Sequence, residues 1–321
     1  MITEYLKLIE AEIKTQRFGS NPKSLYEPIR YIMSLGGKRL RPLLTMLSYS
    51  LYKNDAEKIV SYATAVEAFH NFSLLHDDIM DNAPLRRGKA TVHKKWSVNT
   101  AILSGDVMLV KVYDRFLTLD ENKLKAVLTI FNTCAAEVCE GQQWDMEFES
   151  KSKVSETQYI DMIRLKTAVL LGFSLELGAV LADAPEEERN ALKEFGVNIG
   201  IGFQLKDDLL DVYADKNKFG KQVGGDIIAN KKTFLLINAL QKAKGKNKKE
   251  LIKWLSAKKF NKKQKVKAIT SIYDSMSIPQ LVEKKIEEYF MKGFTALDKV
   301  KSREKKEQLI AFTRDLIKRQ S

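Results

Sequence analysis

The chain has 321 residues, with 54 Lys and Arg against 41 Asp and Glu and a formal net charge of +13. That length suits one large domain or two ordinary ones, and a hydrophobic content of 44% is enough for a sizeable core. No run of about 18 uncharged apolar residues occurs, which argues against a membrane-spanning helix. Six prolines and 16 glycines leave long stretches unpunctuated and favour long helices over a turn-rich sheet protein.

The start, MITEYLKLIEAEIKTQRFG, mixes charges among apolar residues and reads as an amphipathic helix, not a signal peptide. The stretch SLGGKRLRP then sets Lys38, Arg39 and Arg41 beside Gly36 and Gly37. Glycines let backbone approach a ligand, and arginine forks match phosphate oxygens. IVSYATAVEAFHNFSLLHDDIM carries apolar residues at three- and four-residue steps and predicts a nearly buried helix ending at aspartates. KLKAVLTIFNTCAAEVCEGQQWDMEF, TQYIDMIRLKTAVLLGFSLELGAVLA and ALKEFGVNIGIGFQLKDDLLDVY behave alike, and DAPEEERNAL is a helix start at Pro185. No segment alternates with period two over a useful length. Cys134 and Cys139 have no His or Cys neighbours, so both are read as core thiols in a reducing cytoplasm. From Lys231 to Ser321 there are 25 basic and 9 acidic residues, a balance of +16. QKAKGKNKKE and SAKKFNKKQKVK have little aromatic interleaving, so this third is read as a solvated helical surface and not as a nucleic-acid interface. With no dividing linker, one all-α domain over residues 1–321 is expected.

Two acidic runs stand out. LLHDDIMDNAPLRRGKATVH holds Asp77, Asp78 and Asp81 followed by Arg86, Arg87 and Lys89; GFQLKDDLLD holds Asp207, Asp208 and Asp211. Clustered carboxylates repel one another unless a cation sits among them. In D-D-x-x-D on a helix, positions i and i+4 share a face and i+1 lies about 100° round. Hard oxygen ligands without His or Cys point to Mg²⁺, which keeps waters and is completed by substrate phosphate. Two such motifs on facing helices would hold several ions around one highly charged ligand.

On these motifs the chain resembles the trans-isoprenyl diphosphate synthases, the polyprenyl synthetase family, from GGKRLRP to NKKTFLLI. The resemblance implies an all-α bundle of long antiparallel helices around a deep central cavity, usually in a homodimer. It implies head-to-tail condensation of isopentenyl diphosphate with an allylic diphosphate (dimethylallyl, geranyl or farnesyl). Asp77 and Asp81 would hold two Mg²⁺ ions and Asp207, with Asp208 and Asp211, a third. Arg86, Lys166, Lys221 and Lys231 match allylic-site cations, and Thr167 and Gln204 match groups whose dipoles face the carbocation. Lys38, Arg41, His70 and Arg87 match the isopentenyl diphosphate pocket. His76 lacks a soft-metal partner, and His93 is read as pinning the loop after the arginines. No residue is needed as a dedicated strong base, since the released diphosphate is thought to take the final proton.

The same resemblance leaves product length open between farnesyl and geranylgeranyl diphosphate. The residues five and four before Asp77 are Phe72 and Ser73, one aromatic and one small, and nothing is inserted between Asp78 and Asp81 beyond two residues. That is similar to the geranylgeranyl-type arrangement. A class I terpene cyclase shares the first motif but normally lacks the second and the GGKRLRP pocket. A non-catalytic subunit of a heteromeric synthase usually loses an acidic motif, and a nucleic-acid-binding helical protein rests only on the basic third.

Overall fold

The computed structural model describes residues 1–214, 224–301 and 303–318. Their backbone packs into two compact units. One comprises the described residues of 1–136, 170–193 and 299–309; the other, those of 137–169, 194–298 and 310–321.

The first unit opens with α1 (Ile2–Thr15), α2 (Lys23–Ser34), α3 (Leu40–Ser50) and, after a 3-10 turn, α4 (Val60–Met80). A two-residue hairpin follows, β1 (Leu85–Arg86) with β2 (Lys89–Ala90), then α5 (Val92–Lys95), α6 (Val98–Phe116) and the start of α7 (Glu121–Ser150). The helix α4 is apolar around most of its circumference, as a core helix must be, and packs on α6, α3 and α1. An aromatic cluster fixes its middle. The ring of Phe131 on α7 meets Phe69, Tyr113, Phe116 and Phe173 at centroid distances of 5.1–5.7 Å. Phe173 belongs to α9 (Val169–Leu181), nearly all of which lies in this unit. It can approach α3 because residue 178 is glycine; a Cβ there would collide with the carbonyl of Thr45. Beside that contact Ser48 Oγ donates to the Leu175 carbonyl at 2.6 Å.

The second unit takes the rest of α7, then α8 (Glu156–Ile163), begun by a Ser155/Gln158 capping box. Next comes a π-helical turn (Arg164–Ala168). The unit also holds most of α10 (Glu186–Tyr213), α11 (Gly225–Ala229), α12 (Phe234–Lys242), α13 (Gly245–Ser256), α14 (Lys262–Ser275) and α15 (Ile278–Leu297). The last helix is α16 (Arg303–Lys318). On α10, Gly202 leaves room for the ring of Phe290 on α15, 5.9 Å from that of Phe203.

The helices expected at the N-terminus, before the first aspartates, across Cys134 and across the second acidic run all form. Three expectations need correction. The stretch from Thr157 to Ala182 is not one regular helix, because the π turn interrupts it. A short hairpin exists where no strand was expected. Cys134 is buried but Cys139 is exposed: five residues along a helix is about 140° round, so the two thiols cannot share one face.

Candidate active site

In the first unit α4 ends at the acidic run. Asp78 is buried, and Arg86 forks onto it, with Nε 2.9 Å from both carboxylate oxygens and one terminal nitrogen 2.7 Å from Oδ1. The same nitrogen lies 3.6 Å from Asp77 Oδ2. Burial pushes Asp78 up from the usual carboxylate range, against the pull of Arg86. Asp77 is only partly open, with its Oδ1 buried, and Asp81 is exposed.

The hairpin turn that follows is Arg87–Gly88, both with positive φ (52° and 73°), the signature of a tight two-residue turn. A left-handed arginine is strained, and the two-residue hairpin turn is what requires it. The Arg87 guanidinium donates to the Gly36 carbonyl and packs on Gly37, where a Cβ would lie 3.0 Å from it. The hairpin thus lays Arg87 on the Gly36–Gly37 pair. Of the three cations in that motif, Arg39 is structural: it is buried between Glu10 and Glu67, each at 2.8 Å. Arg41 is different. Burial, with a contribution from Arg87, lowers it to about 10, and its Nε has no acceptor among the described residues. His70 is held well below the usual imidazole range by burial and by Arg41 and Arg87. Arg41, Arg87 and His70 therefore form one basic cluster, offset only in part by the charge of Glu67 and suited to an anion. His93 does not pin the loop by hydrogen bonds. It is buried, and neither ring nitrogen has a partner among the described residues. His76 Nε2 lies 3.3 Å from the Ile102 carbonyl. Phe72 is buried, its ring 5.6 Å from Phe69 and 4.8 Å from His76, and Ser73 Oγ donates to the His70 carbonyl.

The second unit contains a cavity of about 770 Å³ whose walls include Lys166, Thr167, Gln204, Asp208, Asp226 and Lys231. Lys166 and Thr167 sit on the π turn. A π turn inserts an extra residue and redirects side chains, which is why such turns recur at functional sites. Here Gly141 of α7 permits it, since a Cβ would collide with the backbone of Lys166. Lys166 Nζ pairs with Asp145 at 2.6 Å, and Thr167 Oγ1 donates to Gln204 Oε1 at 3.2 Å. Gln204 Nε2 donates in turn to Asp208 Oδ1 at 3.0 Å, and Tyr159 donates its hydroxyl to the other oxygen of Asp208. Burial, reinforced by the charge of Asp226, pushes Asp208 up to about 8. Asp207 is exposed, one step round the same helix. Asp211 accepts the Asp226 backbone N–H at 3.0 Å and so caps the start of α11. Lys221 lies outside the described residues.

Among the described residues no three His, Cys, Asp or Glu side chains are gathered closely enough to hold a metal by themselves. Asp78 and Asp208 are buried, whereas Asp81 and Asp207 are exposed and Asp77 is partly open, so the accessible oxygen donors come from both acidic runs. Such a donor set fits Mg²⁺, which needs only one or two carboxylates beside water and phosphate oxygens. Asp145, Tyr159 and Asp226 were not singled out in the sequence. Asp145 had a signal, an acid one turn after the glycine of GQQWD, and Asp226 follows the glycine pair of VGGD; Tyr159 had none.

Residues 22–273 match the family described as Polyprenyl synthetase. A Methanocaldococcus jannaschii protein named short chain isoprenyl diphosphate synthase is 43% identical over 272 residues, 84% of this chain and 82% of that protein. A Methanosarcina mazei protein named geranylgeranyl diphosphate synthase is 42% identical over 227 residues, 70% of this chain and 69% of that one. A crystal structure of a geranylgeranyl pyrophosphate synthase matches at 40% identity with a TM-score of 0.95, covering 100% of this chain and 99% of the other.

Proposed function

We propose, from the premise that this chain belongs to the polyprenyl synthetase family and is a short-chain prenyltransferase, that it condenses isopentenyl diphosphate head to tail with an allylic diphosphate. The product would be geranylgeranyl or farnesyl diphosphate. One observation carries the two-substrate reading. Arg41 and Arg87 stand together with His70, and no carboxylate pairs with either guanidinium among the described residues. Desolvation disfavours the charge on both guanidiniums, although Arg87 lies at the surface, so both gain when a polyanion arrives. With Lys38 these groups would bind isopentenyl diphosphate.

The allylic half falls to the cations of the cavity. Lys166, aimed by Asp145, and Lys231 would bind the allylic diphosphate, joined by Arg86 and by Lys221. Asp77 and Asp81 would hold two Mg²⁺ ions and Asp207 a third, with Asp78, Asp208 and Asp211 supporting them. When bound, those ions neutralise the charge that develops on the departing diphosphate. The Thr167–Gln204 pair would present neutral dipoles toward an allylic cation. The hydrocarbon would then lie along α4, with Phe72 as the floor and Ser73 leaving the path open. Residues 1–321 would work as one polyprenyl synthetase domain, a reading supported by the interleaving of the two units along the chain. Among the described residues no helix is long and apolar enough to cross a membrane.

The assay is direct. The protein is incubated with Mg²⁺, isopentenyl diphosphate and dimethylallyl, geranyl or farnesyl diphosphate in turn, and products are sized by mass spectrometry. Elongated allylic diphosphates are expected; no consumption of isopentenyl diphosphate with any primer would refute the reading.

A further inference from the structure

Between residues 242 and 267 the chain carries twelve lysines and one acid, Glu250. Eleven of these lysines are exposed; Lys265 on α14 is fully buried. A buried ammonium is costly unless its donors are satisfied, and a methionine of similar length would fill the same space without that cost. Among the described residues no carboxylate pairs with Lys265. Its nitrogen donates to Asn230 Oδ1 at 2.6 Å and to the Ile228 carbonyl at 3.3 Å, and it stands over the face of Phe260, 4.2 Å from the ring centre. Burial alone lowers its pKa.

Both acceptors belong to the end of α11. This short helix closes in a Schellman turn: Asn230 N–H bonds the Ile227 carbonyl at 3.3 Å, and Lys231 N–H the Asp226 carbonyl at 2.9 Å. Asn230 takes the left-handed conformation such a turn requires, φ 55°. A cation at a helix C-terminus is stabilising, and the carbonyl of Ile228 is one the turn itself does not satisfy. The side-chain amide of Asn230 is held at its other end too, donating to the Leu255 carbonyl on α13 at 3.1 Å. At the opposite end of α11 stands the Asp211 cap. The next residue after this fixed turn is Lys231, and Asn230 and Lys231 both line the 770 Å³ cavity.

We infer that Lys265 is a positioning residue, which locks the C-terminal turn of α11 through Asn230 and so sets where Lys231 stands in the cavity. The inference rests on the proposed role of Lys231 as a ligand of the allylic diphosphate. Lys265 itself touches no substrate; the basic surface around it supplies charge, whereas Lys265 supplies geometry.

Steady-state kinetics on the full-length enzyme test this with four variants: Lys231→Ala, Lys265→Met, Asn230→Gly and the Lys265→Met/Asn230→Gly double. Glycine keeps the left-handed turn and removes only the side chain. Lys265→Met is expected to raise KM for the allylic diphosphate about 10-fold, the usual scale for losing a supporting contact behind a ligand, with KM for isopentenyl diphosphate unchanged. Asn230→Gly should do the same, and the double variant should be no worse than either single, since both remove one link. A folded Lys265→Met enzyme with a wild-type allylic KM, alongside an impaired Lys231→Ala enzyme, would overturn the inference while leaving the role of Lys231 intact. A rise in both KM values together would reduce Lys265 to general stability and overturn it as well. An unimpaired Lys231→Ala enzyme would instead remove the premise. Should Lys265→Met not fold, Asn230→Gly decides by the same readout.

Discussion

Asp77 and Asp78 are chain neighbours of identical chemistry, yet their surroundings assign them different work. Asp78 is buried and held by the fork of Arg86, whereas Asp77 is part-open and meets that arginine at its edge. The proposed metal assignment places Asp77 and Asp81 at the first motif and the exposed Asp207 at the second. Asp77→Asn and Asp207→Asn each keep size and polarity but remove a formal negative charge. Each is expected to lower turnover by at least about 10²-fold, the scale of one key electrostatic group. EDTA should abolish activity and Mg²⁺ restore it; near-normal turnover in either variant would count against the proposed metal assignment. A second residue-scale prediction concerns His70. Burial and the guanidiniums of Arg41 and Arg87 keep it neutral in the folded protein, at pH values where the unfolded chain already takes up a proton. The unfolded state thus binds more protons as pH falls, and stability declines through and below about pH 6.5. His70→Gln, neutral at every pH, should flatten that part of a Tm-against-pH curve. An unchanged slope would place the acid sensitivity elsewhere.

At the scale of elements, the helices were legible because an apolar stripe at three- and four-residue steps survives in α1, α4, α7 and α10. The π turn was not. ARG-LEU-LYS-THR-ALA, residues 164–168, has no residue that a regular helix would refuse, and the insertion is decided by α7, where Gly141 clears the backbone of Lys166. Gly141→Ala should displace that turn, costing about 1–3 kcal/mol by overpacking, and should raise the allylic KM more than its stability loss explains. Chemical denaturation and steady-state kinetics on one preparation separate the two effects. Lys265 had a signal that composition hides: it falls on the buried stripe of α14 with Ile269, Ile272 and Tyr273, as i, i+4, i+7 and i+8. The ruler proposed on α4 is also an element-scale matter. Phe72 lies five residues before Asp77, roughly 7.5 Å along the helix at 1.5 Å per residue. Its ring is packed, so Phe72→Ala should cost about 3 to 5 kcal/mol in either role. Only a cavity floor predicts products longer by at least one five-carbon unit. An unchanged product distribution from a folded, active variant would put the floor elsewhere.

For the whole molecule, α6 is the helix whose surface calls for an explanation. Val98, Ile102, Leu103 and Val110 are exposed on it, with Leu117 exposed at its C-terminal cap. Placed on a helical wheel they lie on one side, an apolar strip of the kind that a second copy of the chain covers in a homodimer. Sedimentation velocity is expected to show a dimer of the 36.6 kDa chain and Val110→Glu to shift it toward monomer; a wild-type monomer at micromolar concentration would contradict the homodimer reading. The sequence announced the helical class, both acidic motifs and the GGKRLRP cluster. It could not announce that the chain would divide its helices between two units, because that depends on packing between segments far apart in the chain. This division has a consequence for how the gene can be cut. Residues 1–136, 170–193 and 299–309 alternate with 137–169, 194–298 and the remainder, so the chain changes unit five times. Any single break leaves at least one fragment holding pieces of both units. Half-for-half chimeras with relatives would therefore pack segments of different origin together inside a unit at every possible junction, and tolerated inheritance should come as point substitutions and whole-chain replacement, not as exchanged halves.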